Sequence, residues 1–324
     1  MNELRESIRS LGAAEPEAAV AVHAVIGDDP ALLGAHAPLP QRFDDTADWL
    51  RTGFLTPDAP HFERAAGRAA ALLGEEVDDA ADAVLALAVV RPRTRYDLRA
   101  GTRLSEADLD ALLPRLEAAG LVRPGPNPLE PDDPFWTFTD RLARFHYAVL
   151  RPHLPRWRRG YITEQLWRLN RARFDRYVAR PEFLDLARAW VLDDTGAAAA
   201  TRVTVPDPRF RQMRTLEVAA WDDQGAPVAL GTARWRFRMV ERQLKRLRYV
   251  KRLLGDPDVR LYCVASRFEP AITGDADPSL RAVTAPELLA PIAATAPGGA
   301  PETAPDGDLG PISRLVGAEA RRVG

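Results

Sequence analysis

The densest group of side chains with chemical potential is a run of cations between residues 234 and 252. Arg234, Arg236 and Arg238 alternate with Trp235 and Phe237, a spacing that places the three guanidinium groups on one face of a β-strand. The cations of the helix predicted next are Arg242, Lys245, Arg246, Arg248, Lys251 and Arg252. Together they predict a track for a phosphate backbone, with sequence-independent and salt-sensitive binding. The alternative interpretation is a solvated helix face whose long side chains cover a sheet.

The elements that must position these cations form an α/β pattern. Apolar residues at helical spacing predict an amphipathic helix over 239–254, and its stripe consists of Val240, Leu244, Leu247, Val250 and Leu254. The strand-like runs cover 201–205, 215–221, 228–235 and 259–264, and a helix over 182–193 precedes them. The turn Asp222-Asp223-Gln224-Gly225 joins the second and third runs as a hairpin. A helix, a hairpin, a helix and a strand in this order predict an α/β sheet core.

The preceding region, 78–140, has the layout of a winged helix-turn-helix. Ser105 is a favourable N-cap with Asp108 three residues later, and two short strand-like runs follow at 121–123 and 135–138. The presumed recognition helix carries Glu106, Asp108, Asp110 and Glu117 against Arg115. Such a face repels phosphates, so it favours protein–protein packing over the alternative of a DNA-binding regulator.

Several function classes are excluded by missing motifs. Neither lysine follows a glycine, which rules out a Walker-type ATPase, and there is no serine-hydrolase elbow or His-Glu-x-x-His pair. The single cysteine, Cys263, excludes multi-cysteine zinc sites, and the histidines lack ligand spacing. No apolar run approaches the roughly 20 residues of a membrane span, and the N-terminus lacks a signal-peptide core. We therefore expect no cofactor, no membrane partner and a cytoplasmic location.

The charge is distributed unevenly along the chain. Residues 1–133 hold 13 basic against 24 acidic side chains, whereas residues 134–260 hold 26 against 14. An acidic region followed by a basic one indicates an anionic partner or mutual docking of the two regions.

Three stretches resemble the C-terminal region of archaeal-type DEXX-box ATPases. Asp140–Tyr147 is similar to the family's "DP.LRFWY" run, from which it departs at Arg141 and His146. The Phe183–Trp190 helix is similar to "FE..CREW", and the Leu230–Trp235 strand to "LGE.KW".

A fourth segment, Pro57–Phe62, is similar to the link between the family's ATPase lid and its winged helix. The resemblance covers roughly residues 20–292. It implies the end of an ATPase lid, a winged helix and a restriction-endonuclease-like domain, without the nucleotide-binding part.

The resemblance also implies where catalytic residues would stand. In related nucleases an Asp and a Glu hold Mg²⁺ and a Lys orients the attacking water. These roles fall on Glu217, Thr232 and Arg234 in this sequence, so a hydroxyl and a guanidinium replace the second carboxylate and the amine. The family's helix Glu falls on Leu184, beside Glu182 and Asp185. We expect no catalytic residues and no metal; if a metal binds, its ligands would be Glu217, Asp185 and Glu182.

The predicted fold class is α+β. Its regions are a helical remnant (1–77), a winged helix (78–140), a degenerate nuclease-like α/β domain (141–294) and a disordered tail (295–324). The predicted function is a non-enzymatic accessory or regulatory protein that binds a protein partner, an ATPase being the first candidate, with nucleic acid as the second partner. The alternatives are a metal-dependent DNA nuclease using Glu217 and a winged-helix regulator.

Overall fold

The chain divides into two compact units. The computed structural model describes residues 3–29, 31–32, 37–127, 130, 132–160 and 163–290. Unit 1 comprises Leu184–Gly324 with Met1–Glu6, and unit 2 comprises Ser7–Phe183. The predicted disordered tail, 295–324, lies outside the described residues. The finer division at residues 77 and 140 stays a prediction.

The first part of the chain is built mainly from α-helices. In chain order they are α1 (Glu3–Ser10), α2 (Pro16–Ile26), α3 (Thr46–Leu50), α4 (Phe62–Ala66), α5 (Arg68–Leu73), α6 (Asp79–Ala88), α7 (Arg95–Thr102), α8 (Glu106–Ala118), α9 (Arg141–Phe145), α10 (Leu154–Arg158), α11 (Thr163–Phe174) and α12 (Arg180–Thr195). Between α8 and α9 lie strands β1 (Val122–Gly125) and β2 (Phe135–Phe138). Shorter 3₁₀ and π-helical segments are Phe43–Asp45, Arg51–Leu55, His146–Leu150, Arg151–His153 and Asp175–Ala179.

Helix α2 forms the centre of unit 2. All of its residues from Ala18 to Ile26 are buried, as expected of a helix that is apolar on every side. Nearby, Phe145 makes edge contacts with Phe54 and Phe174, with ring centroids 5.8 and 6.3 Å away. Aromatic pairs of this geometry add to the free energy of burial.

Helices α6, α7 and α8 and the β1–β2 hairpin follow the order predicted for residues 78–140. The side chain of Ser105 accepts a hydrogen bond from the Asp108 amide, and the Asp108 carboxylate accepts one from the Ser105 amide, so the predicted cap forms a complete capping box. Strand β1 pairs antiparallel with β2, with Val122 opposite Phe138.

Unit 1 is organised around a five-stranded mixed sheet. Its strands are β3 (Ala199–Asp207), β4 (Gln212–Trp221), β5 (Pro227–Met239), β6 (Arg260–Phe268) and β7 (Leu280–Thr284), and they lie in this order across the sheet. β3, β4 and β5 run antiparallel, whereas β5, β6 and β7 run parallel. The helices of this part are α13 (Glu241–Leu253), α14 (Pro270–Thr273) and α15 (Ala285–Leu289). The sequence pattern predicted the first four strands but not β7.

One face of this sheet is covered by α13. The predicted apolar stripe is largely buried: Leu244, Leu247, Val250 and Leu254 pack in one core with sheet residues such as Leu230. Val240, the first residue of the stripe, is half-buried and is the residue before the helix begins.

Helix α12 also packs against the sheet. Its Trp190 ring makes an edge contact with the Tyr262 ring of β6, with centroids 6.0 Å apart. The Tyr262 hydroxyl donates a 2.6 Å hydrogen bond to Asp194 Oδ2, and burial together with this carboxylate raises the pKa of Tyr262. The N-terminal residues join the same unit because Arg5 ion-pairs with Asp193 at 2.8 Å. Arg5 also donates a hydrogen bond to the Leu288 carbonyl.

The predicted α+β class is confirmed. Within the part of the chain that the structure describes, every helix is too short or too polar to cross a bilayer.

Candidate functional site

A pocket of about 640 Å³ lies in unit 1 beside α13 and the strands β4 and β5. Its lining residues are Phe210, Arg214, Glu217, Thr232, Arg234, Arg242, Gln243, Lys245, Arg246 and Tyr249. These ten residues include five cations and one carboxylate. The pocket therefore carries a strong excess of positive charge.

The sheet brings Glu217 and Thr232 together. Val218 pairs with Gly231 in the antiparallel ladder, so the residues before and after them are cross-strand neighbours. Thr232 Oγ1 donates a 3.0 Å hydrogen bond to Glu217 Oε2. Glu217 also lies in a β-bulge, because two β4 residues, 217 and 218, face the single β3 residue 202.

Helix α13 presents cations to this pocket from its exposed side. Because its apolar stripe is buried, Arg242, Lys245 and Arg246 are exposed to solvent. Arg246 Nη2 donates a 2.9 Å hydrogen bond to the Thr215 carbonyl, and Lys245 Nζ lies 2.9 Å from Glu241. Exposed ion pairs of this type are weak, so Lys245 can exchange its partner for a ligand anion.

Arg234 contributes a guanidinium from the sheet side. Its side chain is half-buried, and its Nε is buried without a hydrogen-bond partner among the described residues. A buried donor without a partner costs free energy, and an anionic ligand in the pocket would remove that cost.

An aromatic edge completes the pocket. Phe210 is 53% exposed and lies in the turn between β3 and β4. Its ring centroid is 6.4 Å from that of Tyr249, which comes from α13. Asp207 accepts hydrogen bonds from Arg214 Nε at 2.8 Å and from the Tyr249 hydroxyl at 3.0 Å.

The alternation predicted for Arg234, Arg236 and Arg238 on one strand face is interrupted at Arg236. Arg236 has a φ of +59°, and the pairing of β5 with β6 shifts register between Arg234 and Arg238. As a result Trp235 is buried, whereas Phe237 is 71% exposed. Arg236 and Arg238 do not line the pocket.

The other predicted cations of α13 have different contacts. Arg248 binds both carboxylate oxygens of Asp275, at 3.0 and 2.6 Å, and this pairing raises the pKa of the guanidinium. Lys251 lies 3.5 Å from Asp256, and the Arg252 guanidinium lies 5.8 Å from the Tyr249 ring centroid. None of these three cations lines the pocket.

The carboxylates predicted as possible metal ligands have other partners. Asp185 pairs with Arg188 at 2.7 Å, and Arg188 Nε donates to the Glu217 carbonyl. Glu182 belongs to unit 2 and binds His23 and Arg141 there. Among the described residues, no group of three or more His, Cys, Asp or Glu side chains could hold a metal ion.

The contacts of Glu182 form a buried polar network in unit 2. Ser7 Oγ lies 2.8 Å from His23 Nε2, and His23 Nδ1 lies 2.9 Å from Glu182 Oε1, which has the connectivity of a Ser–His–acid relay. The Ser7 hydroxyl, however, donates its one hydrogen to Asp28 instead of to the imidazole. Arg141 donates two hydrogen bonds to the same Glu182 oxygen. We interpret this network as a structural link between helices.

A second pocket, of about 360 Å³, lies beside this network and is lined by charges of both signs. Its Arg68 and Asp140 pair with each other at 2.8 Å, and its Arg141 pairs with Glu182. Because these charges are already paired, this pocket has fewer charges available to bind a ligand than the pocket of unit 1.

Arginines of α7 neutralise part of the negative charge of helix α8. Arg95 contacts both Glu106 and Asp110, and Arg99 contacts Glu106. Arg115 lies 2.6 Å from Asp78. A face on which arginines and carboxylates are paired in this way has little attraction for phosphates.

The chain matches no family model, no curated protein and no solved structure. The function must therefore be argued from the site itself.

Sequence reasoning missed Phe210, Arg214, Gln243 and Tyr249. The only local signal was the segment Pro208-Arg209-Phe210-Arg211, in which an aromatic side chain stands between two arginines in a turn between two strand-like runs. Arg214 and Tyr249 are 35 positions apart in sequence; both donate hydrogen bonds to Asp207, and the Arg214 guanidinium lies 5.8 Å from the Tyr249 ring centroid.

Proposed function

We propose that this protein is a non-enzymatic accessory protein that binds nucleic acid through the pocket of unit 1. The observation that carries the proposal is the five cations around a single carboxylate. Such a group of Arg and Lys side chains binds phosphodiester groups through ion pairs that release counterions. Half-buried Arg234, with its unsatisfied Nε, supplies the most directional donor.

The chemistry of the pocket supports binding without hydrolysis. Hydrolysis assisted by Mg²⁺ needs a set of oxygen ligands, and here Glu217 has a hydroxyl as its neighbour instead of a second carboxylate. Arg234 stands where an amine would orient water, and a guanidinium does not give up its proton. On this basis we propose that unit 1 is a degenerate nuclease-like domain. The order helix, three antiparallel strands, helix and parallel strand is compatible with that fold.

The proposed function also includes binding to a protein partner. The sequence resemblance to the region that follows an ATPase domain supports an ATPase as this partner. We also propose a winged helix for residues 78–140, with a role in protein packing, because the carboxylates of α8 disfavour DNA. Co-purification of the full chain with candidate ATPases would test this part.

The test of nucleic-acid binding compares two triple variants by fluorescence anisotropy with labelled DNA. Arg242→Ala/Lys245→Ala/Arg246→Ala removes three pocket cations. Arg238→Ala/Arg252→Ala/Arg267→Ala removes three exposed cations that do not line the pocket, with the same change in net charge.

We expect the pocket variant to lose about tenfold or more in affinity and to reduce the slope of log Kd against log salt by up to about 3, roughly one for each lost phosphate contact. The control variant should stay within about threefold of wild type. Absence of binding by wild type at low salt, or equal losses in both variants, would contradict the proposal.

The nuclease alternative is tested on plasmid DNA with Mg²⁺ or Mn²⁺. We expect no cleavage products. Cleavage that disappears in Glu217→Ala would establish the alternative.

A further inference from the structure

The turn between β3 and β4 holds an aromatic ring in solvent at the edge of the basic pocket. The turn consists of residues 208–211, and Arg211 adopts a φ of +49°. Phe210 is 53% exposed, although aromatic rings lose favourable burial when they face water. An exposed ring beside a site is therefore a candidate binding surface rather than part of the core.

The orientation of this turn is fixed by a buried carboxylate. Asp207 is only 1% exposed, and it accepts hydrogen bonds from the Phe210 amide at 3.2 Å, from Arg214 and from Tyr249. Burial alone would raise the pKa of Asp207, but these donors outweigh it and lower the pKa below its ordinary value. The carboxylate is thus ionised at neutral pH and holds the turn against α13.

The same helix links the ring to the cations. Tyr249 lies four residues after Lys245 and three after Arg246, so the three side chains share a side of α13. The ring of Phe210 also has the guanidinium groups of Arg209 and Arg214 at 5.3 and 5.5 Å from its centroid. A planar group stacked here would have cations beside it for its adjoining phosphates.

We propose that the pocket binds single-stranded nucleic acid, with one unpaired base stacked on Phe210 and the adjoining phosphates on Arg242, Lys245 and Arg246. The inference rests on the proposed function of the pocket. Bases within a duplex are already stacked on their neighbours, so only an unpaired base can use the exposed ring. Stacking on an aromatic side chain is tolerant of base identity, which fits a pocket that otherwise recognises the backbone.

The experiment compares a 12-nucleotide single strand with a 12-base-pair duplex, both labelled, for wild type and three variants. Phe210→Ala removes the ring, and Phe210→Trp keeps an aromatic surface. Phe237→Ala is the matched control, because Phe237 is also an exposed phenylalanine of unit 1 (71%) but does not line the pocket.

We expect Phe210→Ala to weaken binding of the single strand by about tenfold and to change binding of the duplex by no more than about twofold. Phe210→Trp should bind the single strand at least as tightly as wild type, and Phe237→Ala should match wild type for both probes. A single strand containing 2-aminopurine should lose fluorescence on binding to wild type but not to Phe210→Ala, since stacking quenches this base. Thermal unfolding of each variant checks that the turn still folds.

The outcomes separate this inference from the proposed function. If Phe210→Ala weakens both probes equally or neither, the stacking inference is overturned. The proposed function still stands in that case if the triple pocket variant loses affinity. If wild type binds neither probe at low salt, both proposals fail.

Discussion

Thr232 Oγ1 donates a 3.0 Å hydrogen bond to Glu217 Oε2, so the only carboxylate among the pocket-lining residues is tied to the hydroxyl beside it. This pairing makes Glu217 a fixed negative charge among cations. In a pocket that binds phosphates, that negative charge repels the ligand and weakens its binding.

We therefore expect Glu217→Gln to raise the affinity for DNA. Removing one negative charge near a bound phosphate is worth roughly 1 kcal/mol in a water-exposed site, or about fivefold in Kd. Anisotropy titrations at two salt concentrations measure the effect, which should shrink as salt rises. Asp223→Asn, which removes an exposed carboxylate in the turn after β4 and outside the pocket lining, is the control. Lower affinity in Glu217→Gln, above all in the presence of Mg²⁺, would instead indicate a metal ligand.

Asp207 provides a second prediction, on positioning. Asp207→Asn keeps the shape of the side chain but removes the charge that holds Arg214 and Tyr249. We expect weaker quenching of 2-aminopurine than in wild type, because the ring remains but the turn is less ordered. The free energy of unfolding should also fall, because a charged hydrogen-bond acceptor is lost. Wild-type quenching at reduced stability would show that Asp207 has only a structural role.

Glu182 provides a third prediction, on the stability of unit 2. Its carboxylate is 1% exposed and lies between His23 and Arg141. Burial alone would raise its pKa, but the hydrogen bond from His23 and the charge of Arg141 hold it at about 2. Glu182→Ala leaves the cation Arg141 and the imidazole without their partner, and we expect a loss of about 3–5 kcal/mol in the free energy of unfolding.

The control for this prediction is Glu164→Ala, because the Glu164 side chain is 62% exposed and pairs with Arg168 on the surface. Such a surface pair contributes about 0.5 kcal/mol or less. Urea unfolding measures both variants. Since the folded pKa of Glu182 lies below its ordinary 4.5, its contribution is complete above pH 4.5 and is lost as the pH falls toward 2. A loss in Glu182→Ala no larger than in Glu164→Ala would show that the network is not stabilising.

Local sequence patterns predicted much of unit 1. The turn Asp222-Asp223-Gln224-Gly225 predicted that β4 and β5 form a hairpin, and the apolar stripe of α13 showed which side of the helix would be buried. Those two facts put Glu217 and Thr232 on neighbouring strands and leave Arg242 exposed, whereas the exact pairing depends on the register shift between Ala220 and Trp221.

The rest depends on tertiary structure that a local pattern does not contain. Strict alternation failed at Arg236 because its left-handed backbone conformation breaks the period of two. The aromatic edge was missed because Tyr249 reaches the turn through Asp207, 42 positions earlier. Glu182 was assigned to a possible metal site, whereas its partner His23 lies 159 positions away in sequence.

His146 provides the last prediction, on acid stability. The residue is 8% exposed and its Nδ1 has no hydrogen-bond partner among the described residues. Burial lowers its pKa from 6.5 to about 4, with a further decrease from Arg151 that Asp82 opposes. Between these pH values the unfolded chain binds a proton that the folded chain does not, so stability falls as the pH is lowered from 6.5 to about 4.

The test measures urea unfolding of wild type and His146→Gln at pH 7, 6, 5 and 4. Since the variant has no imidazole at this position, the difference in unfolding free energy between it and wild type should change by about 3 kcal/mol across this range, in favour of the variant at low pH. His153→Gln is the control for loss of a histidine, because His153 is half-buried rather than enclosed. Parallel curves for wild type and His146→Gln would mean that the buried imidazole titrates at its ordinary pKa, and that water reaches this part of the core.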